Sequence, residues 1–141
     1  MKIEPDTKYD FSDVLLKPKR SKLSSRSQVS LEKTITFPNS NFIWTGIPLM
    51  VANMDTTGTF EMCRALSKYK IITCLHKHFS VEDYPDDLDP NYYAISSGIT
   101  ENDRNKLDKL IARLNPHFVV IDVANGYSSK FIDFCTNIRE Q

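Results

Sequence analysis

Lys77 stands between two histidines, in His76-Lys77-His78, directly after the apolar run Ile71-Ile72-Thr73-Cys74-Leu75. A cation at the end of such a run can hold a phosphate or a carboxamide, and imidazole is the side chain suited to proton transfer near neutrality. Asp122 follows Phe118-Val119-Val120-Ile121 and opens Asp122-Val123-Ala124-Asn125-Gly126. A carboxylate leaving the densest part of a core is hydrogen-bonded or faces a cleft, and accepting from ribose hydroxyls is one use of it. Asn53-Met54-Asp55-Thr56 closes the run 47–51, and Ser96-Ser97-Gly98 closes the run 93–95. Methionine beside a polar ligand makes a pliable wall for a flat ring. In Ser24-Ser25-Arg26-Ser27 a guanidinium among hydroxyls has the donors for a phosphate.

Each cluster also has a plainer reading. Lys77 and its neighbours describe a solvated loop equally well, and so does Ser24 to Ser27. Asp122 describes a cap for a tight turn at Asn125-Gly126, and Met54 describes core. Successive strand residues point to opposite faces. His76, Lys77 and His78 therefore serve one small ligand only if the strand has already ended before them.

These clusters need elements to carry them. The runs are apolar at consecutive positions, the pattern of strands buried on both faces in a parallel sheet. They begin near residues 47, 71, 92 and 118. Between and after them lie stripes at helical spacing: Met62, Ala65, Leu66 and Tyr69; Leu107, Leu110, Ile111 and Leu114; Phe131, Phe134, Cys135 and Ile138. Thr59 and Ser128 are placed to cap the first and last helices. Residues 79–91 are rich in Asp and Pro, with room for turns or a single helical turn. Four strands with polar tips on one rim are the layout of a β/α protein with its site at the carboxyl ends.

Residues 1–45 read differently. Thr34-Ile35-Thr36-Phe37 and Phe42-Ile43-Trp44 flank Pro38-Asn39-Ser40-Asn41 as a hairpin. The expected organisation is an N-terminal extension over 1–45 that packs on a βα-repeat domain over 46–141. An eight-fold barrel typically needs about 250 residues, so four βα units amount to half of one, or to a small open sheet.

Composition narrows the class. The 141 residues carry 18 basic and 18 acidic side chains, which gives no global pull toward nucleic acid or anionic membrane. No apolar stretch approaches the roughly 20 residues that span a bilayer. Met1 to Asp6 lacks the hydrophobic core of a signal peptide, and a cytoplasmic address is expected. Three widely spaced cysteines, Cys63, Cys74 and Cys135, fit neither a disulfide framework nor zinc-ligand spacing. They read as packing residues. With four glycines and no GxGxxG, Walker loop, HExxH or CxxC, no glycine-rich phosphate cradle is present in these 141 residues.

The clusters, in this order, resemble the N-terminal part of the inosine monophosphate dehydrogenase / GMP reductase family. The matching segments are Tyr9-Asp10-Phe11-Ser12-Asp13-Val14-Leu15-Leu16-Lys17-Pro18-Lys19-Arg20-Ser21, Ser25-Arg26-Ser27 and Gly46-Ile47-Pro48. They continue with Val51-Ala52-Asn53-Met54-Asp55-Thr56, Gly58-Thr59-Phe60, His76-Lys77-His78, Ser96-Ser97-Gly98 and Asp122 to Ser128. Thr57, where the family usually has valine, is a departure. The short 79–91 connection leaves no room for the regulatory domain pair of the dehydrogenases. With His76-Lys77-His78 and Ala52-Asn53-Met54, it favours the reductase branch.

The resemblance implies a (β/α)8 TIM barrel, assembled as a homotetramer, of which this chain holds the first four βα units. It implies conversion of GMP to IMP with release of ammonia and consumption of NADPH. Lys77, Asp122, Val123 and Ala124 would contact the dinucleotide, Ser25 and Arg26 would reach NADPH bound to a neighbouring subunit, and Met54 would lie near the purine. The family's nucleophilic cysteine attacks purine C2, assisted by a threonine and a glutamate. It sits on a glycine-rich loop after the sixth strand that also holds a monovalent cation (K+). None of these positions is present, and the three cysteines lack the flanking glycines and serine. The expectation is a chain with no catalytic or metal-binding residue of its own, inactive alone. The competing readings are a non-catalytic half-barrel that binds nucleotide or another subunit, and a small flavodoxin-like domain.

Overall fold

The structure, a computed structural model, describes residues 3–140. Met1 and Lys2, where the signal-peptide reading begins, and Gln141 lie outside the described residues. Backbone contacts divide the chain into two units between Ser30 and Leu31.

In the first unit every described residue is exposed. Two single 3-10 turns, Phe11–Asp13 and Arg26–Gln28, are its regular structure. Local side chains make them. Asp10 and Asp13 form a reciprocal capping box around the first turn. The Ser25 hydroxyl accepts from the Ser27 amide, and Gln28 Oε1 accepts from the Ser24 amide at 3.0 Å.

The second unit holds β1 (Lys33–Thr36), β2 (Ile43–Gly46), β3 (Met50–Val51), α1 (Phe60–Ser67), β4 (Ile72–Leu75), β5 (Tyr93–Ser97), α2 (Glu101–Leu114), β6 (Val119–Ile121) and α3 (Ser129–Arg139). β1 and β2 pair antiparallel, with Ile35 opposite Trp44. The other four form a parallel sheet in the order β3-β4-β5-β6. Both faces of its centre are covered. Leu75, Tyr93 and Ile95 pack against Cys63, Leu107 and Leu110 from the helices. Ile72, Cys74 and Ala94, on the other face, pack against Trp44 of β2. The Trp44 indole donates to the Asn91 carbonyl at 2.8 Å. The compact unit thus begins at Leu31 and includes the β1–β2 pair, whereas the sequence pattern drew its line at Gly46.

α2 buries Leu107 and Leu110 of the stripe read from sequence, and α3 packs half-buried Phe134 and Ile138 of its own stripe against the same core. α1 turns a different face inward. Cys63 is its buried residue, with Phe60 beside it, while Ala65 and Tyr69 are exposed. Tyr69 lies beyond the end of the helix, so the spacing extended a stripe past the element that would carry it.

No helix joins β4 to β5. That connector, residues 76–92, is a series of turns whose carbonyls are held from α2. The Arg113 guanidinium donates to the Val81 carbonyl at 2.6 Å, the Tyr84 carbonyl at 2.8 Å and the Asp86 carboxylate at 2.9 Å. Buried Tyr84 pins the connector into the helix-side core. The cations of α2 thus do what backbone hydrogen bonds of a helix would have done.

α2 begins with a capping box between Thr100 and Asp103. Desolvation works to raise the Asp103 carboxyl. The Thr100 hydroxyl and backbone hydrogen bonds, with the Lys77 and Lys106 charges, outweigh it and hold the group below its usual range. A depressed carboxyl stabilises the fold above its unfolded pKa, and that contribution is lost as pH falls through the folded value. Asp103→Asn is therefore expected to lower the melting temperature at neutral pH and to flatten its fall in acid. Thr100→Ala should cost about 1 kcal/mol, and thermal melts from neutral pH into acid check both.

Candidate functional site

The four parallel strands end at Val51, Leu75, Ser97 and Ile121, so the segments that follow them leave the same edge of the sheet. Register places their residues. Leu75 pairs with Ile95 and Ser97 with Ile121. Continued past Leu75, the same register brings Lys77 level with Ser97 and Ile121, one residue short of Asp122. Lys77 and Asp122 therefore share a rim. β4 has already ended at Leu75, which removes the alternation that would have turned Lys77 from its neighbours.

One contact crosses the whole sheet. Asn53 Nδ2 donates to Asp122 Oδ2 at 3.1 Å, although β3 and β6 are the sheet's two edges. A flat sheet would hold edge strands three spacings apart, roughly 14 Å, beyond the combined reach of these side chains. The carboxyl rim is drawn inward. Asp122 is also held by its own amide, which donates to the Ser97 carbonyl at 2.8 Å, and its side chain is exposed.

The loop after β3 is seated by Gly58. Its amide donates to the Met54 carbonyl at 2.7 Å, and its carbonyl accepts from the His76 amide at 3.0 Å. A Cβ at Gly58 would run into the Cys74 carbonyl oxygen and lie 3.0 Å from the Asn53 Cα. Glycine is required there by close approach, since its backbone angles are ordinary. The Thr57 hydroxyl, the departure from the family pattern, donates to the Ala52 carbonyl at 3.0 Å. Met54 itself is exposed.

The two histidines differ. His76 is buried, its ring stacked on Phe79 at 3.8 Å, and Phe79 stacks in turn on Phe60 at 4.0 Å. His76 Nδ1 accepts from the His78 amide at 3.3 Å. His76 is thus a structural part of the loop, and His78 is exposed. Lys77, half-buried, has its carbonyl held by Lys106 Nζ of α2 at 2.6 Å. Burial pushes the Lys106 amine below its ordinary value against the pull of Asp103 and Asp83. Ser96, level with Val120, is 2% exposed, and its hydroxyl has no partner. Of the residues after Asp122, Val123 is half-buried and Ala124 exposed. Asn125 Oδ1 accepts from the Tyr127 amide at 3.0 Å, and Ser128 caps α3.

Ser25 and Arg26 belong to the first unit. There the Ser25 and Ser27 hydroxyls stand 2.9 Å apart, and Ser25 precedes Arg26 as cap of its turn. Sequence reasoning missed Asn53 as the partner of Asp122 and Lys106 as the support of the Lys77 loop. Asn53 lay within a flagged cluster. Lys106 carried no signal, being one charge among many on a polar helix.

The cysteines are packing groups. Burial pushes the Cys63 thiol up to about 11 and raises that of Cys74. A thiol whose thiolate is suppressed is a poor nucleophile. In the native protein a thiol reagent such as DTNB should label Cys135, which is half-buried, well before Cys63 and Cys74, with all three reacting in denaturant. Among the described residues no group of three or more His, Cys, Asp or Glu is disposed to hold a metal ion, and no helix is long and apolar enough to cross a membrane.

Comparison with known proteins places the chain in a family. The chain is 47% identical over 148 aligned residues to GMP reductase of Caenorhabditis elegans, covering 99% of this chain and 41% of that protein. It is 46% identical to GMP reductase of Salmonella typhi and 44% to GMP reductase 1 of Mus musculus, in each case covering 42% of the relative. The chain thus spans about two fifths of the length of the relatives it matches. In three dimensions it is similar to the inosine 5'-monophosphate dehydrogenase of Legionella pneumophila. That match has a TM-score of 0.66 at 22% identity and covers 92% of this chain and 40% of the other. The family model for the IMP dehydrogenase / GMP reductase domain matches residues 8–141. A parallel α/β sheet with its polar residues gathered at the carboxyl rim, and relatives that are GMP reductases over its whole length, make this chain a member of the IMP dehydrogenase / GMP reductase family.

Proposed function

We propose that this chain is the amino-terminal portion of an NADPH-dependent GMP reductase, contributing the cofactor-facing half of the rim and none of the reacting groups. In this reading β3 to β6 are the first four strands of a (β/α)8 barrel, with β1 and β2 as an appended hairpin, and the assembled enzyme is a homotetramer. The reaction is conversion of GMP to IMP with loss of ammonia. The observation that carries the reading is the identity of 44–47% to GMP reductases across 99% of the chain.

The residues on the rim suit a reduced dinucleotide. Asp122 is exposed and uses one oxygen on Asn53, leaving the other to accept from a ribose hydroxyl or a carboxamide. Lys77 brings a cation to the same level, and Ser96 keeps an unpartnered hydroxyl below it. NADPH, when bound, supplies the hydride. In this reading Lys77 neutralises and orients the cofactor, and Asp122, Val123 and Ala124 line its path. Met54 walls the nucleotide, and Ser25 with Arg26 reach a cofactor on a neighbouring subunit. The nucleophile, its glutamate and the K+ loop have no counterpart in these residues, so no step of bond-making is assigned to them.

The purified chain is expected to show no GMP-dependent oxidation of NADPH, and detectable turnover would refute the division of labour. NADPH fluorescence titration tests the rim. Lys77→Ala should weaken binding about tenfold, the loss of one charge-assisted hydrogen bond worth roughly 1.5 kcal/mol. Unchanged affinity in Lys77→Ala would remove Lys77 from the site.

A further inference from the structure

The peptide unit between Lys77 and His78 is held at both ends. Its carbonyl accepts from Lys106 Nζ at 2.6 Å, and its N–H donates to His76 Nδ1 at 3.3 Å. One residue earlier, the His76 amide donates to the Gly58 carbonyl at 3.0 Å. A peptide unit is planar, so fixing its carbonyl and its N–H fixes the whole unit. His76 is tied to the Gly58 loop on one side and the clamped plane lies on the other. The Cα–Cβ bond of Lys77 is left with one direction. Among the described residues no backbone amide takes the Lys77 carbonyl, so the ammonium from α2 completes the clamp.

The surroundings hold Lys106 in that place. Burial works against its ammonium, and the Asp103 and Asp83 charges oppose the burial. Asp103 stands one turn earlier on α2. Asp83 is fixed in the connector, accepting from the Ser80 amide and hydroxyl, both at 2.7 Å. Lys109, three residues further along the same helix, is exposed. The clamp follows β4, one of the two inner strands of the sheet, and so lies away from both sheet edges.

We propose that Lys106 is a positioning residue for the cofactor: it holds the Lys77 carbonyl, thereby aims the Lys77 ammonium at the carboxyl rim, and acts on NADPH only through Lys77. The identity of the ligand rests on the reductase reading, whereas the clamp rests on the three hydrogen bonds themselves. Lys77 brings the charge, and the set of its loop decides whether that charge meets an anionic group or a carboxamide. A loose loop would spread the ammonium over many positions, and binding would then bear the entropy of ordering it. Asp103 adds a competing pull. Its carboxyl feels both the Lys77 and the Lys106 charges. With Lys106 gone, Lys77 is the one of the two left for Asp103 to draw away from the rim.

Hydrogen exchange and NADPH fluorescence titration on the purified 141-residue chain test the clamp and the cofactor role separately. Lys106→Met keeps the aliphatic stem and removes the donor. It should speed exchange of the His78 amide about tenfold, as a local opening is set free. Lys106→Arg should restore the slow rate, and Lys109→Met should leave it unchanged. A His78 rate in Lys106→Met equal to wild type overturns the clamp. In the titration Lys106→Met should weaken NADPH binding about fivefold, a coupling of the size found within one hydrogen-bond network. In the Lys77→Ala background the same substitution should add nothing. An equal loss in both backgrounds, or wild-type affinity in Lys106→Met, overturns the proposal. If the wild-type chain takes up no NADPH, the cofactor role falls with the reductase reading, while the exchange rates still decide the clamp. Should Lys106→Met fail to fold, Lys106→Ala, with the strongest helix propensity, takes its place.

Discussion

Trp44→Ala is expected to destabilise the second unit by about 3–5 kcal/mol from lost packing alone. The indole is 2% exposed and lies against Ile72, Cys74 and Ala94, with the Tyr92 ring edge-on at 6.5 Å. It also satisfies the Asn91 carbonyl, and leaving that acceptor without a donor adds roughly 1–3 kcal/mol. Domains of this size are stable by about 5–15 kcal/mol in total, so one substitution removes a large fraction. Trp44→Phe separates the two contributions, since it keeps most of the packing and gives up the hydrogen bond. Urea denaturation followed by far-UV circular dichroism reads both. A midpoint for Trp44→Ala within error of wild type would mean that β2 is dispensable to the sheet.

Gly58→Ala is expected to dislodge the loop that carries Asn53 and Met54. The added Cβ would overlap the Cys74 carbonyl oxygen and lie 3.1 Å from the His76 amide nitrogen, both of them backbone. Neither can rotate away, so the loop must lift from the end of β4. The His76–Gly58 hydrogen bond would be lost, and the Asn53–Asp122 contact with it. The expected cost is on the order of 1–3 kcal/mol, accompanied by a change in the side-chain amide resonances of Asn53. Gly126→Ala is the control. Its Cβ would meet only the Phe131 ring at 3.7 Å, an ordinary contact, and its effect should stay within about 0.5 kcal/mol. Equal melting temperatures for the two variants would dismiss the close approach at Gly58.

Much of the scaffold was legible because its signals are local. Consecutive apolar residues marked β4, β5 and β6, and Thr59 and Ser128 cap their helices through contacts three residues away. The Asp- and Pro-rich connector after Phe79 forms turns, and the stripes of α2 and α3 face the core. α1 was misread in detail, because residues 62–69 hold apolar side chains on more than one face. Only the packing of Phe60 against Phe79 and Tyr84 selects Cys63 as the inner side.

Residue order alone marks which positions follow each strand with chemistry to offer: Lys77, Asp122, and the Asn53–Met54 pair. Tertiary structure decided which of them meet. Asn53 and Asp122 are 69 residues apart, and their contact depends on the curvature of the whole sheet. The inclusion of β1 and β2 in the compact unit depends on where the Trp44 ring finds cover. Lys106 and Arg113 reach carbonyls 29 to 32 residues earlier in the chain, standing in for a helix that the connector lacks. Periodicity and capping act within a turn or a strand, so a sequence can display them. Curvature, burial and long side-chain reach arise only when distant segments pack, and no short-range pattern encodes them.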